Sequence, residues 1–420
     1  MDVQQAGVLP TKRAENSSGR RPQVRTTLPS LQRVRSPLTV LPAALLVLLA
    51  GCGSVPDSGA DPRPIATASP TTSAVPSSAA PTATVTPPTG SSPSLRPRTS
   101  APRRPVAGNP AGHAAVPASG RPVDTSRPDR VVGTGTAASC TSAAVVAAVA
   151  AGGVITFSCG PSPVTIAMDR TALVDNRSAR VVLDGGGLVT LSGGGSRRIL
   201  YQNTCDQARV WTTSHCQDQE SPQLVLQDIT FANGNSTGDA TDGGGGGAVF
   251  VRGGRLTVTG VRFTGNRCDP GGPDLGGAAL RVLDQYQHQP VVVSGSTFEG
   301  GRCSNGGALS SIGVSWTVRN SVFRTNEAVG SGANPARPGT PGGGNGGAIC
   351  TDGNGYAVDI AGTLIEDNHA REGGGGIFFV SNDRSGQLRV GASTTLARNR
   401  GDGFETAGRP GIFVLDSTTG

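Results

Sequence analysis

From Ile365 to Phe379 the chain reads IEDNHAREGGGGIFF, which puts Glu366, Asp367, His369, Arg371 and Glu372 in one short run ahead of a glycine tract. Carboxylates beside an imidazole are the usual groups of general acid–base chemistry, so the run has the composition of an active site. A second set involves sulfur. Cys205 and Cys216 bracket DQARVWTTSH, and with His215 they could hold zinc or, as two thiols alone, close a disulfide. Which reading holds depends on the elements that carry these residues.

Those elements repeat. ITFANGNS (229–236), VRFTGNRC (261–268), STFEGGRC (296–303), SVFRTNEA (321–328), TLIEDNHA (363–370) and TTLARNRG (394–401) align without gaps. Their anchor column is Phe231, Phe263, Phe298, Phe323, Ile365 and Leu396, always large and apolar. Three residues later stand Gly234, Asn266, Gly301, Asn326, Asn368 and Asn399. Gly and Asn best tolerate the left-handed backbone region, so this column predicts a tight turn in every repeat. Between units lies a second motif: GGAVF (246–250), GGAAL (276–280), GGALS (306–310), GGAIC (346–350) and GGGIF (374–378). In this register His369 shares a column with Asn235, Arg267, Arg302, Glu327 and Arg400, a variable polar set. The acidic run is therefore one turn of a repeat.

Alternating runs such as LTVTGVRF and YAVDIAG read as strands, and no helical period of useful length follows residue 152. Strands, glycine turns and a period of about 28 to 40 residues predict an all-β solenoid whose rungs bury their apolar faces against one another. The Phe-x-x-Asn and Gly-Gly-Ala-Ile pairing resembles the repeats of polymorphic outer-membrane-type β-helix proteins. CTSAAVVAAVAAGGVITFSC followed by ARVVLDGGGLVTLSGGG resembles the opening of pectin-lyase-like β-helices. The resemblance covers about residues 138–420 and implies a right-handed, single-stranded parallel β-helix. It also implies a capping helix, here near Ser142–Ala151, burying Val145, Val146 and Val149.

That fold hosts lyases, hydrolases, adhesins and spike proteins, so activity must be argued from a site. Polygalacturonase-like members use a Gly-His-Gly segment and an Arg-Ile-Lys segment. None of His113, His215, His288 and His369 lies between two glycines, and Lys12 is the one lysine in the chain. Pectate-lyase-like members need calcium-binding carboxylates and an arginine base, which together abstract a proton beside a uronate carboxylate. Arg281 in LRVLD, with Asp352 and Asp359 in TDGNGYAVDIAG, are the candidates for that role, and calcium is implied under that reading alone. No other cofactor or metal is expected.

Ahead of the repeats lies a different kind of chain. The apolar run Leu38–Ala50 follows Arg33 and Arg35 and is too short to span a membrane, but suits a signal-peptide core. LAGC, Leu49–Cys52, resembles a bacterial lipobox, which implies cleavage before Cys52 and lipid on its sulfur. Residues 52–130 are rich in Pro, Ser, Thr and Ala and read as a disordered linker. The expected division is a signal at 1–51, a linker at 52–130 and a β-helix at 131–420. Of the formal net charge of +7, the part up to residue 130 carries +9 and the remainder −2, so no basic patch rides on the repeat domain and nucleic acid is not an expected partner.

In an exported protein the cysteines are expected as disulfides: Cys140 with Cys159, Cys205 with Cys216, and Cys268 with Cys303, which share a repeat column. Cys350 remains as a buried thiol within a strand. Any binding surface is expected on inserts, among them LDQYQHQP (283–290), with Tyr286 and His288, and SNDRSGQ (381–387). The leading expectation is a lipid-anchored, extracellular β-helix that binds a glycan or a surface protein without catalysis. A polysaccharide lyase and a structural stalk are the alternatives. The apolar C-terminal GIFVLDSTTG, with no polar cap after it, is expected to favour self-association or partner docking, or else to belong to a longer chain.

Overall fold

The computed structural model describes residues 106–209, 214–240, 243–332 and 337–418, all within the unit Ser94–Gly420. Residues 1–105, including Cys52 and the apolar run before it, lie outside the described residues.

After the helix Ser142–Ala151 (α1) the chain is built from short strands that pair in parallel. One turn shows the pattern. Gln223–Gln227 joins sheet I, Thr230–Ala232 joins sheet II, Val249–Arg252 joins sheet III, and Arg255–Thr259 returns to sheet I beside Gln223–Gln227. Among the described residues sheet I has nine strands, sheets II and III eight each, and a short sheet IV four. Every pairing within these sheets is parallel, which is consistent with a parallel β-helix.

The anchor column is legible in the register: Phe231 pairs with Phe263, then Phe298, Phe323, Ile365 and Leu396. The first four rings stack with centroids 5.4, 4.8 and 4.5 Å apart, close to the strand spacing. Sheet I alternates as a one-faced sheet should. In Arg255–Thr259, Leu256 and Val258 are buried while Arg255 and Thr257 face outward. Helix α1 closes the first rung. Thr141 Oγ1 accepts from the Ala144 amide as an N-cap, and Val145, Ala148 and Val149 are buried, with Val146 only partly so.

The Gly/Asn column is where the structure corrects the expected turn. The left-handed residues stand one position earlier: Asn233, Gly265, Gly300, Thr325, Asp367 and Arg398. The asparagines have another task, a buried amide ladder. Asn326 Nδ2 donates to the Phe298 carbonyl and to Asn368 Oδ1, and Asn326 Oδ1 accepts from the Gly301 amide. Asn368 and Asn266 repeat the pattern, reaching the Phe323 and Phe231 carbonyls. Each amide satisfies main-chain groups that the turn would otherwise bury unpaired. In the second motif glycine is required for itself. Gly306 has φ +51°, and a side chain there would meet the Leu309 carbonyl.

Residues 106–129, which composition places in the linker, lie along the coil as a strap. Arg262 donates to the Val106 carbonyl, and the Gly108 amide donates to Thr297 Oγ1. The strap turns at Asn109–Gly112 against Asn320 and Gly362 and runs back past Gln227 and Asp184 to the first strand, Arg130–Val132. Two side-chain amides grip its backbone reciprocally. Asn320 accepts from the Ala114 amide and donates to the Ala114 carbonyl, and Gln227 does the same for Val123.

Candidate functional site

The acidic run that looked like a site is taken up by its neighbours. His369 lies in sheet IV in register with Arg302, Glu327 and Arg400, and its Nε2 is 2.8 Å from Asp402. Glu366 and Asp367 both meet Arg398 on the next rung, at 2.8 and 2.6 Å. The Arg398 hydrogen bonds hold the Asp367 carboxyl below its usual range.

The lyase candidates do not converge. Arg281 and Asp352 lie on sheet III and line one small cavity with Asp274, Ser310 and Cys350. Asp359 is on sheet I, 2.7 Å from Arg319. Arg281 is 3% exposed, with its guanidinium on Ser310 Oγ and the Asp274 carbonyl. Burial pushes its pKa down to about 10. A base must reach substrate, and this arginine is sealed under the 269–276 connection. Burial likewise pushes the Cys350 thiol up, the opposite of what a reactive cysteine needs.

The cysteines pair as Cys140–Cys159, Cys205–Cys216 and Cys268–Cys303, with Cα separations of 5.7, 4.9 and 4.7 Å, and Cys350 is free and buried. Since Cys205 and Cys216 are bonded to each other, neither offers a thiolate, and the zinc reading with His215 is withdrawn. Among the described residues no group of three His, Cys, Asp or Glu side chains is placed to hold a metal ion.

The best-furnished concavity lies where sheet III strands end and the chain turns toward sheet I. It has a volume of about 560 Å³ and is lined by His215, Asp218, Asp284, His288, Ile312 and Asn354, among others. Four connections build it. The disulfide-closed insert contributes His215 and Asp218, and the Asp218 carboxylate accepts from the Gln287 amide at 2.6 Å, tying this insert to the 284–289 loop. In that loop Asp284, Gln287 and His288 have φ of 57°, 49° and 54°. Such left-handed values cost energy and persist only where the surroundings impose them. Here the surroundings are the Asp218 contact, the Arg252–Asp284 ion pair at 3.2 Å and the buried Gln285, which accepts from the Leu256 amide. Ile312, 41% exposed, gives the floor one apolar surface, and Gly313 and Gly353 keep it low. The arrangement offers donors, acceptors and one apolar contact on supported backbone, which is recognition chemistry. Sequence reading found His288 as an insert residue but not its meeting with His215 and Asp218, because the two inserts lie some seventy residues apart.

A second concavity of about 390 Å³ lies beneath the start of the strap, with Asp184, Asp228 and Arg262 on its walls. Partial burial, and then the neighbouring Asp184, raise the Asp228 carboxyl above its usual range. Comparison of the chain with protein-family models, curated proteins and solved structures finds no significant match.

Proposed function

We propose that this chain is a right-handed, single-stranded parallel β-helix of the pectin-lyase-like kind with polymorphic outer-membrane-type repeats. In this reading it is exported, anchored through lipid on Cys52 and held away from the membrane on its linker. Its work is binding, with a glycan or a surface protein as ligand and no catalytic step. The observation that carries the reading is the strand-end cleft, whose His215, Asp218, Asp284 and His288 come from connections between rungs and whose loops are cross-tied. Polar groups beside a shallow apolar floor suit a sugar ring or a peptide turn. Glycan-array and surface-display screening of the chain, followed by His288→Ala and Asp218→Asn, tests it. Binding that falls at least tenfold in both variants is expected, and binding indifferent to both would remove the cleft from the account.

A polysaccharide lyase is the second reading, and the nearness of Arg281 and Asp352 is what favours it. Calcium-dependent growth of ultraviolet absorbance from a polyuronate, abolished by Arg281→Gln, would establish it. None is expected.

A further inference from the structure

The net charge of −2 over residues 131–420 predicts no basic patch on the repeat domain, but the outer face of sheet I gathers a local one in register. Arg180 pairs with Gln223, and Gln223 pairs with Arg255 on the next strand. At roughly 4.8 Å per strand, the two arginine positions are about 9.6 Å apart along the stack. The strap runs alongside and adds Arg121 from the facing wall. Together these residues line an open groove of about 320 Å³, with Pro122, Val123, Val225 and Thr257 between them.

Many other guanidinium groups find acids, as Arg198 meets Asp239, Arg319 meets Asp359, and Arg324 meets Glu299, although among the described residues Arg127, Arg267 and Arg409 do not. Among the described residues, Arg121, Arg180 and Arg255 meet no carboxylate within 4 Å and donate no side-chain hydrogen bond. The acid touching the groove's lining is Glu220, which accepts from Gln223 Nε2 at 3.4 Å. Three unpaired guanidiniums around one groove repel one another and remain together only at a cost that an anion would relieve.

We propose that this groove binds a chain bearing tetrahedral oxyanions, a phosphodiester or sulfate-ester polymer. The shape of the groove selects the anion. A carboxylate presents both oxygens in one plane and is satisfied by one guanidinium fork. A phosphate or sulfate directs oxygens to several sides, so Arg180 or Arg255 can engage it from the sheet while Arg121 engages it from the strap. The two sheet arginines then take successive anions along an extended chain, with its uncharged stretches over Pro122 and Val225. The site shares no residue with the strand-end cleft, and its occupancy does not depend on what that cleft binds.

The test uses the whole chain with four probes: a polyglycerol phosphate, dextran sulfate, polygalacturonate and uncharged dextran. The expected result is binding of the phosphate polymer, the sulfate polymer or both, and whichever binds identifies the source of the anion. Arg180→Gln with Arg255→Gln should weaken it at least tenfold, and the slope of log affinity against log salt should become shallower by about 1.4, at about 0.7 per contact. Arg121→Gln should act in the same direction. Arg371→Gln, which removes an exposed arginine elsewhere, and His288→Ala in the strand-end cleft should leave binding unchanged. The substituted guanidiniums are outside the core, and an unaltered thermal melt will show that the variants fold. Binding of neither oxyanion polymer, polygalacturonate bound as tightly as they are, or affinity insensitive to the sheet arginines would each overturn the proposal.

Discussion

Asn326 shows how one side chain can organise a repeat. It is fully buried and bridges the Gly301 amide, the Phe298 carbonyl and Asn368 in one geometry. Asn326→Ala would leave those main-chain groups buried without partners, each at about 1–3 kcal/mol. A loss of about 3 kcal/mol in a denaturant titration is expected, and a loss below about 1 would show that water replaces the amide. Asp383 offers a pH handle at the same scale. Hydrogen bonds from the Ser385 side chain and backbone, then from Ser381, lower its pKa from 3.8 to about 2. A depressed carboxylate pKa stabilises the fold above the unfolded value and loses that contribution as pH falls toward the folded one. The 381–387 loop should therefore loosen between about pH 4 and pH 2, and Ser385→Ala should move the Asp383 titration upward by NMR. A midpoint already near 4 in the parent chain would contradict the geometry.

At the scale of the element, the rungs were legible in sequence and the strap was not, for one physical reason. A rung is held by side chains packing inward, so the Phe column and the Cys268–Cys303 column leave a residue-type signature at each repeat. The left-handed turn was misplaced by one position because asparagine is favoured both in that backbone region and as a ladder amide, and here the ladder decided. The cleft stayed hidden because it joins inserts distant in sequence. The strap is recognised through its own main chain, by Gln227 and Asn320, so its composition reads as linker. Gln227→Ala with Asn320→Ala should raise amide exchange at Ala114 and Val123 at least tenfold and admit proteinase K between residues 113 and 127. The melt of the rungs should scarcely move. Unchanged exchange would mean that packing alone seats the strap.

For the whole molecule, parallel stacking leaves each rung dependent on its neighbours, so stability is shared locally and an end opens before the middle does. The disulfide Cys140–Cys159 and helix α1 guard the first rung. The strap adds a mechanical property. Its contacts begin at Val106 beside Arg262, continue to the bend at Asn109–Gly112, and return past Gln227 and Asp184 to the first strand. Tension applied ahead of Val106 meets these bonds one after another, as in peeling tape, and not side by side as in shear. Sequential rupture takes little force and pays out chain: residues 106–129 would release roughly 80 Å of contour before any rung bears the load. In a single-molecule pull this should appear as a soft, reversible extension preceding the steep unfolding events of the stack. The segment would act as a shock absorber, letting a particle held at the strand-end cleft, which shares no residue with the strap, be tugged without disturbing that cleft.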